Sequence, residues 1–169
     1  MKKKKIIILI LFVFISLIFI LLITRIISPK EIDDINPEIP CASGDIEKSE
    51  VLWIIPKYNN HSISENREWC DSILSLNKTL GMHGIYHNFN EFDSDKNQEE
   101  IKEGMKIFEE CFGYKSETFK PPQLKINEYN KELIKENNLR LKLNFNQLIH
   151  KVYHCNDTGL FSNRFIDFF

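Results

Sequence analysis

GMHGIYHNFNEF, residues 81–92, is the stretch on which the reading of this chain turns. It sets His83 and His87 four apart, puts Gly84 directly after the first, and carries Glu91, with Asp93 just beyond. A separation of four brings two side chains to one side of the backbone, as one turn of helix or two periods of strand. Two imidazoles held that way can grip one divalent metal. The other reading is a pair of half-buried, hydrogen-bonded histidines at a strand end. Glutamate directly after the first histidine would mark a zincin, and Gly84 occupies that position.

Working outward, Trp69, Ile73, Leu76 and Leu80 recur at helical spacing, which predicts a helix over 65–80 with Ser64 as cap and Gly81 just past its end. Met82 to Tyr86 is then a strand with the histidines at its far end. Upstream, VLWII at 51–55 stops at Pro56 and reads as a buried strand. Downstream, Ile101, Met105, Phe108 and Phe112 share one face of a helix over 97–112, followed by Gly113. ETFK at 117–120 reads as a strand running into Pro121-Pro122, and 128–137 as a helix capped by Asn127. Strands are predicted at 139–145 and 148–155, and a helix from Asn163 to Phe169. Strands alternating with helices imply an α/β fold with a parallel sheet. In such folds chemistry gathers at the C-terminal strand ends. There the sequence places His83 and His87, Lys120-Pro121-Pro122, and His154-Cys155-Asn156-Asp157.

The N-terminus is of another kind. Residues 2–5 are KKKK, and residues 6–23 are apolar except Ser16. That length crosses about 30 Å of hydrocarbon as a helix. The exit, LITRIISPK, lacks the small-residue pattern of a cleavage site, which favours an uncleaved signal anchor over a signal peptide. Residues 1–28 are therefore expected to form a transmembrane helix that contacts lipid through residues 6–24. Lysines before the span imply a cytoplasmic N-terminus and an extracytoplasmic domain. Residues 29–50, polar and proline-punctuated, read as a linker, and 51–169 as the domain. The whole chain carries a net charge of −2 with no basic stripe, so nucleic acid is not an expected partner. Cys41, Cys70, Cys111 and Cys155 permit up to two disulfides outside the cytoplasm, with three connectivities open.

The ordered pieces HGIYHNFNEF, FKPPQLKIN and VYH, at successive strand ends, resemble the polysaccharide deacetylase superfamily. They look most like a divergent archaeal and bacterial branch that pairs HGxxH…EF with F-[RK]-P-P. The resemblance implies an irregular or incomplete (β/α) barrel. It implies one divalent metal, zinc in many members, held by an Asp and the two histidines. A second Asp would act as general base on the attacking water, and a late histidine as general acid. Carried over, His83, His87 and Asp34 would be metal ligands, Asp33 the base and His154 the acid. Lys120, Pro121 and Pro122 would wall the substrate groove, and Glu91 would orient a ligand histidine. Asp33-Asp34 is the only adjacent aspartate pair, and its other reading is acidic linker beside the membrane. His83, His87 and His154, with Cys155, form an alternative metal set without aspartate, and Cys155 also fits a disulfide. The implied activity is metal-dependent deacetylation of an acetylated cell-surface glycan. The alternative is a catalytically degenerate module with a binding or structural role in the envelope. The family barrel runs on past its histidine strand, so a chain ending in RFIDFF is expected to be small or truncated.

Overall fold

VLWI is apolar at consecutive positions because β2 (Val51–Ile54) lies inside a parallel sheet and is covered on both faces. The computed structural model describes residues 2–143 and 147–169. β2 pairs in parallel with β1 (Glu31–Ile35) and with β5 (Thr79–His83). β6 (Thr118–Lys120) and β7 (Arg140–Leu141) extend one side, and β8 (Val152–His154) the other. The order β7-β6-β5-β2-β1-β8 is an open sheet, and no barrel closes among the described residues. A separate hairpin, β3 (Lys57–Tyr58) with β4 (His61–Ser62), lies outside it.

The helices are α2 (Ser43–Lys48), α3 (Arg67–Ser75), α4 (Gln98–Phe112), α5 (Glu128–Glu136) and α6 (Asn163–Phe168). α4 falls within one residue of the expected 97–112 because both ends are built. Asn97 and Glu100 form a reciprocal capping box, and Gly113 ends the helix at φ 77°. Asn127 caps α5 as expected. Ile101, Phe108, Ile73, Leu52, Ile54, Met82 and Phe119 belong to one core. Two disulfides, Cys41–Cys155 and Cys70–Cys111, tie that core to its edges.

Four expectations need correction. The strand expected from Met82 to Tyr86 is β5, which ends at His83, so His87 lies past a turn and not two strand periods on. The linker expected over 29–50 holds β1 and α2, and β1 is paired on both sides. Its acidic residues mimic a linker, but Ile32 and Ile35 are core residues and its carboxylates meet buried partners. The helix expected over 65–80 runs only over α3, capped by Asn66 rather than Ser64. Gly81 is not its terminator but lies in β5, where a Cβ would come within 2.4 Å of the Trp53 ring. The strand expected over 148–155 is β8 alone, with residues 147–150 in a turn. Of the strand expected over 139–145, residues 144 and 145 lie outside the described residues.

α1 (Lys2–Ile27) has no polar face over its span, and Lys4–Ile27 is long and apolar enough to cross a membrane. Its last turn meets the domain directly. Arg25 donates to the carbonyls of Leu148 and Ile166, and Ser28 Oγ lies 3.3 Å from His150 Nδ1.

Candidate metal centre

Successive side chains of a regular strand point to opposite faces, so Asp33 and Asp34 should not meet in one place. They do meet, because β1 is irregular there. The pairing of β1 with β2 shifts between Ile32 and Ile35, and Asp34 takes φ 66°, in the left-handed region. Both carboxylates therefore reach the cleft of about 480 Å³ at the C-terminal edge of the sheet.

His83 ends β5 beside Lys120, and its Nδ1 lies 3.0 Å from the Lys120 carbonyl. A carbonyl only accepts, so Nδ1 carries the proton and Nε2 faces the cleft. Gly84 then turns the chain at φ 67°. A Cβ there would come within 2.6 Å of both Glu91 and Pro122, so the residue after the first histidine has to be glycine. The following turn is held by one side chain. Glu91 accepts from the backbone N–H of Ile85, Tyr86 and His87, at 3.1, 3.0 and 2.9 Å. Burial pushes Glu91 upward in pKa despite those donors and Lys96. His87, at φ 58°, is thereby aimed back at Asp34.

Asp34 Oδ1 lies 2.8 Å from His87 Nε2 and 3.3 Å from His83 Nε2. The three ligand atoms sit within 4.8 Å of one another. Thr158 donates to Asp34 Oδ2 at 3.0 Å and so fixes the carboxylate plane. Oδ1 is buried with no hydrogen bond of good geometry, and the two imidazole Nε2 atoms are its close neighbours. Burial alone would raise the Asp34 pKa, but His83 and His87 outweigh it and hold the carboxyl well below the usual range. Burial likewise opposes charge on His83, and Asp33 and Asp34 outweigh it, so its pKa rises. The cluster draws positive charge. A carboxylate oxygen and two imidazole nitrogens at this spacing suit a divalent cation such as zinc.

Asp33 stands beside this set. Its Oδ1 takes a hydrogen bond from Lys120 Nζ at 2.7 Å. Its Oδ2 lies 3.6 Å from His154 Nε2 and 3.9 Å from His83 Nε2. Lys120 also reaches Glu31 at 3.3 Å, and Trp53 Nε1 donates to Glu31 at 2.7 Å. His154 ends β8. Gln147 is pinned to the Phe161 backbone through both halves of its amide, which turns its Nε2 toward His154 Nδ1 at 3.4 Å. Gly159 leaves room for that pair, since a Cβ would come within 2.3 Å of Gln147. With Nδ1 accepting, His154 presents Nε2–H to the cleft. Burial lowers its pKa despite Asp33 and Asp34.

No family model matches the sequence, and no curated protein does. Solved structures do match. The Bc1960 peptidoglycan N-acetylglucosamine deacetylase aligns with TM-score 0.51 at 14% identity, over 67% of this chain and 54% of its own. The fold is that of the polysaccharide deacetylases. A family 4 carbohydrate esterase from Streptomyces lividans, in complex with acetate, has a TM-score of 0.48 at 11% identity, over 68% of this chain and 60% of that one. A CE4 family pseudoenzyme from Bacillus anthracis has 0.44 at 16%, over 54% of this chain and 31% of that one. The chain thus spans between 31% and 60% of the length of these three structures.

On this deacetylase fold the residues singled out by sequence fall as follows. His83, His87 and Asp34 converge, with Asp33 and His154 adjacent. Lys120 and Pro121 line the cleft, but the Lys120 ammonium turns inward, 1% exposed, rather than facing a groove. Pro122 packs against Gly84. Glu91 acts on the backbone of the 85–87 turn, not on an imidazole. Cys155 is in a disulfide and not among the converging ligand atoms. Glu31, Trp53, Gln147 and Thr158 escaped the sequence reading, for each is defined only by a partner far along the chain.

Glu91→Gln is expected to weaken zinc binding by roughly ten- to a hundredfold, the usual cost of losing a group that orients a ligand. The amide sets an NH2 against one of three backbone N–H donors. Competition with a chromophoric chelator measures it, and a folded variant with unchanged affinity would refute the clamp.

Proposed function

We propose that this chain is a membrane-anchored, metal-dependent carbohydrate deacetylase-like hydrolase, with its domain outside the cytoplasm and an acetylated surface glycan as substrate. The carrying observation is the convergence of Asp34, His83 and His87 beside Asp33 and His154. Asp34 Oδ1 and the two Nε2 atoms would hold the cation. When bound, it supplies a Lewis acid that lowers the pKa of water and polarises the acetyl carbonyl. Lys120 occupies one oxygen of Asp33 and leaves the other near His154, placed to take the proton of the attacking water. His154 Nε2 faces the same space and, as the imidazolium, would donate to the departing amine or hydroxyl. The long apolar helix, the lysines before it and the sequons at Asn60, Asn77 and Asn156 fit an exported domain.

A specific observation favours a second reading, a degenerate module that binds glycan without cleaving it. Gln147 stands where an imidazolium would want an acceptor at Nδ1, so His154 is poorly supported as a proton donor. The full chain in detergent, loaded with zinc, is to be incubated with acetylated chitooligosaccharides and acetylated xylan while released acetate is assayed. Release that vanishes in Asp33→Asn is the expected result. Stoichiometric zinc with no release would select the binding module.

A further inference from the structure

We propose that the aromatic face of α6 docks the domain onto the lipid bilayer beside the span. This rests on reading α1 as membrane-spanning and goes beyond it. Twenty residues of helix rise about 30 Å, the thickness of the hydrocarbon layer. Lys5 and Arg25 are that far apart in α1, so Arg25 marks the outer edge. The same Arg25 donates to the Ile166 carbonyl at 2.7 Å, and its guanidinium lies 5.7 Å from the Phe169 ring centre. Aromatic stacking continues from there. Phe169 meets Phe165 at 6.3 Å, and Phe165 meets Phe161 at 5.4 Å. Phe168 is 88% exposed and Phe169 60%. Rings left bare at the mouth of a membrane span belong to the headgroup and acyl boundary, where aromatic side chains concentrate. Lys151 stands close enough to both Arg25 and Lys30 for their charges to interact, which gathers cations where phosphates would lie.

The docked face connects to the cleft through the 147–150 turn. The 147–150 turn touches the end of the span through Leu148 and His150. Gln147 and Leu160 line the cleft, and Leu160 is 88% exposed on its rim. The turn and Leu160 thus join the docked face to the rim of the cleft.

The test uses the full chain bearing Phe168→Trp in vesicles of phosphatidylcholine and phosphatidylglycerol. The lipids are brominated either near the glycerol end of the acyl chain or near its tip. The native indoles are buried (Trp53) or half-buried (Trp69), and Glu99→Trp at an exposed position of α4 serves as the control. The expected result is a blue shift and loss of most of the introduced indole's emission with the shallow bromine, less loss with the deep one, and none for the control. A chain that floats with the vesicles while Phe168→Trp emits unchanged overturns the docking and leaves the span intact. A blue shift without bromine quenching means that protein covers the face, and also overturns it. A chain that stays in the aqueous fraction removes span and docking together.

Discussion

Zinc affinity is expected to fall roughly a hundred- to a thousandfold in Asp34→Ala, because a site worth about 10–16 kcal/mol over its ligands loses a few kcal/mol with one of them. Asp33→Asn should change it by less than about tenfold, since its nearest oxygen lies 3.9 Å from His83 Nε2 and outside the converging set. Hydrolysis should disappear in both. The contrast separates two adjacent aspartates that composition cannot tell apart. Asp34 is held by Thr158 and aimed at two imidazoles, whereas Asp33 is held by Lys120 and aimed at His154. Equilibrium dialysis of zinc against each variant, with folding checked by near-ultraviolet circular dichroism, measures both effects. Equal losses in the two variants, or a larger one in Asp33→Asn, would reverse the assignment.

The two histidines could be read from sequence because their spacing and Gly84 lie within one short stretch. Gly84 has a local reason to be glycine, a left-handed turn packed against Glu91 and Pro122. α4 could be read for the same reason, since its apolar period and both its caps are local. β1 could not. Glu31, Asp33 and Asp34 erase the apolar signature of a buried strand, and what makes their burial tolerable comes from Trp53, Lys120, the histidines and Thr158. The aspartate pair entered the site only through the family resemblance. The backbone irregularity that brings both aspartates to one side leaves no mark on residue type. Gly81 misled for an instructive reason. A glycine after a helical period signals a helix end, as Gly113 does, but at Gly81 the demand comes from the ring of Trp53.

Lys120→Met is expected to destabilise the domain by about 3–5 kcal/mol, the cost of stripping the partner from buried ions. Lys120 is 1% exposed, and Asp33 and Glu31 are 4% and 7% exposed. Its single ammonium lies 2.7 Å from one carboxylate and 3.3 Å from the other, with the Trp53 ring centre 5.4 Å away. Methionine fills much the same volume, so the loss is electrostatic rather than one of packing. Without the lysine, two carboxylates confront each other in the interior of the sheet. Glu31→Gln introduced alongside Lys120→Met should then restore stability, because it removes one uncompensated charge and its amide oxygen can still accept from the Trp53 indole. In the wild-type background the same Glu31→Gln should cost stability. That reversal of sign between backgrounds marks coupling, which for contacting groups is commonly about 0.5–3 kcal/mol. Denaturant midpoints of the four proteins measure it. Simple additivity would show that Lys120 is held by its packing and not by the carboxylates. The placement of Asp33 would then have to come from β1 alone.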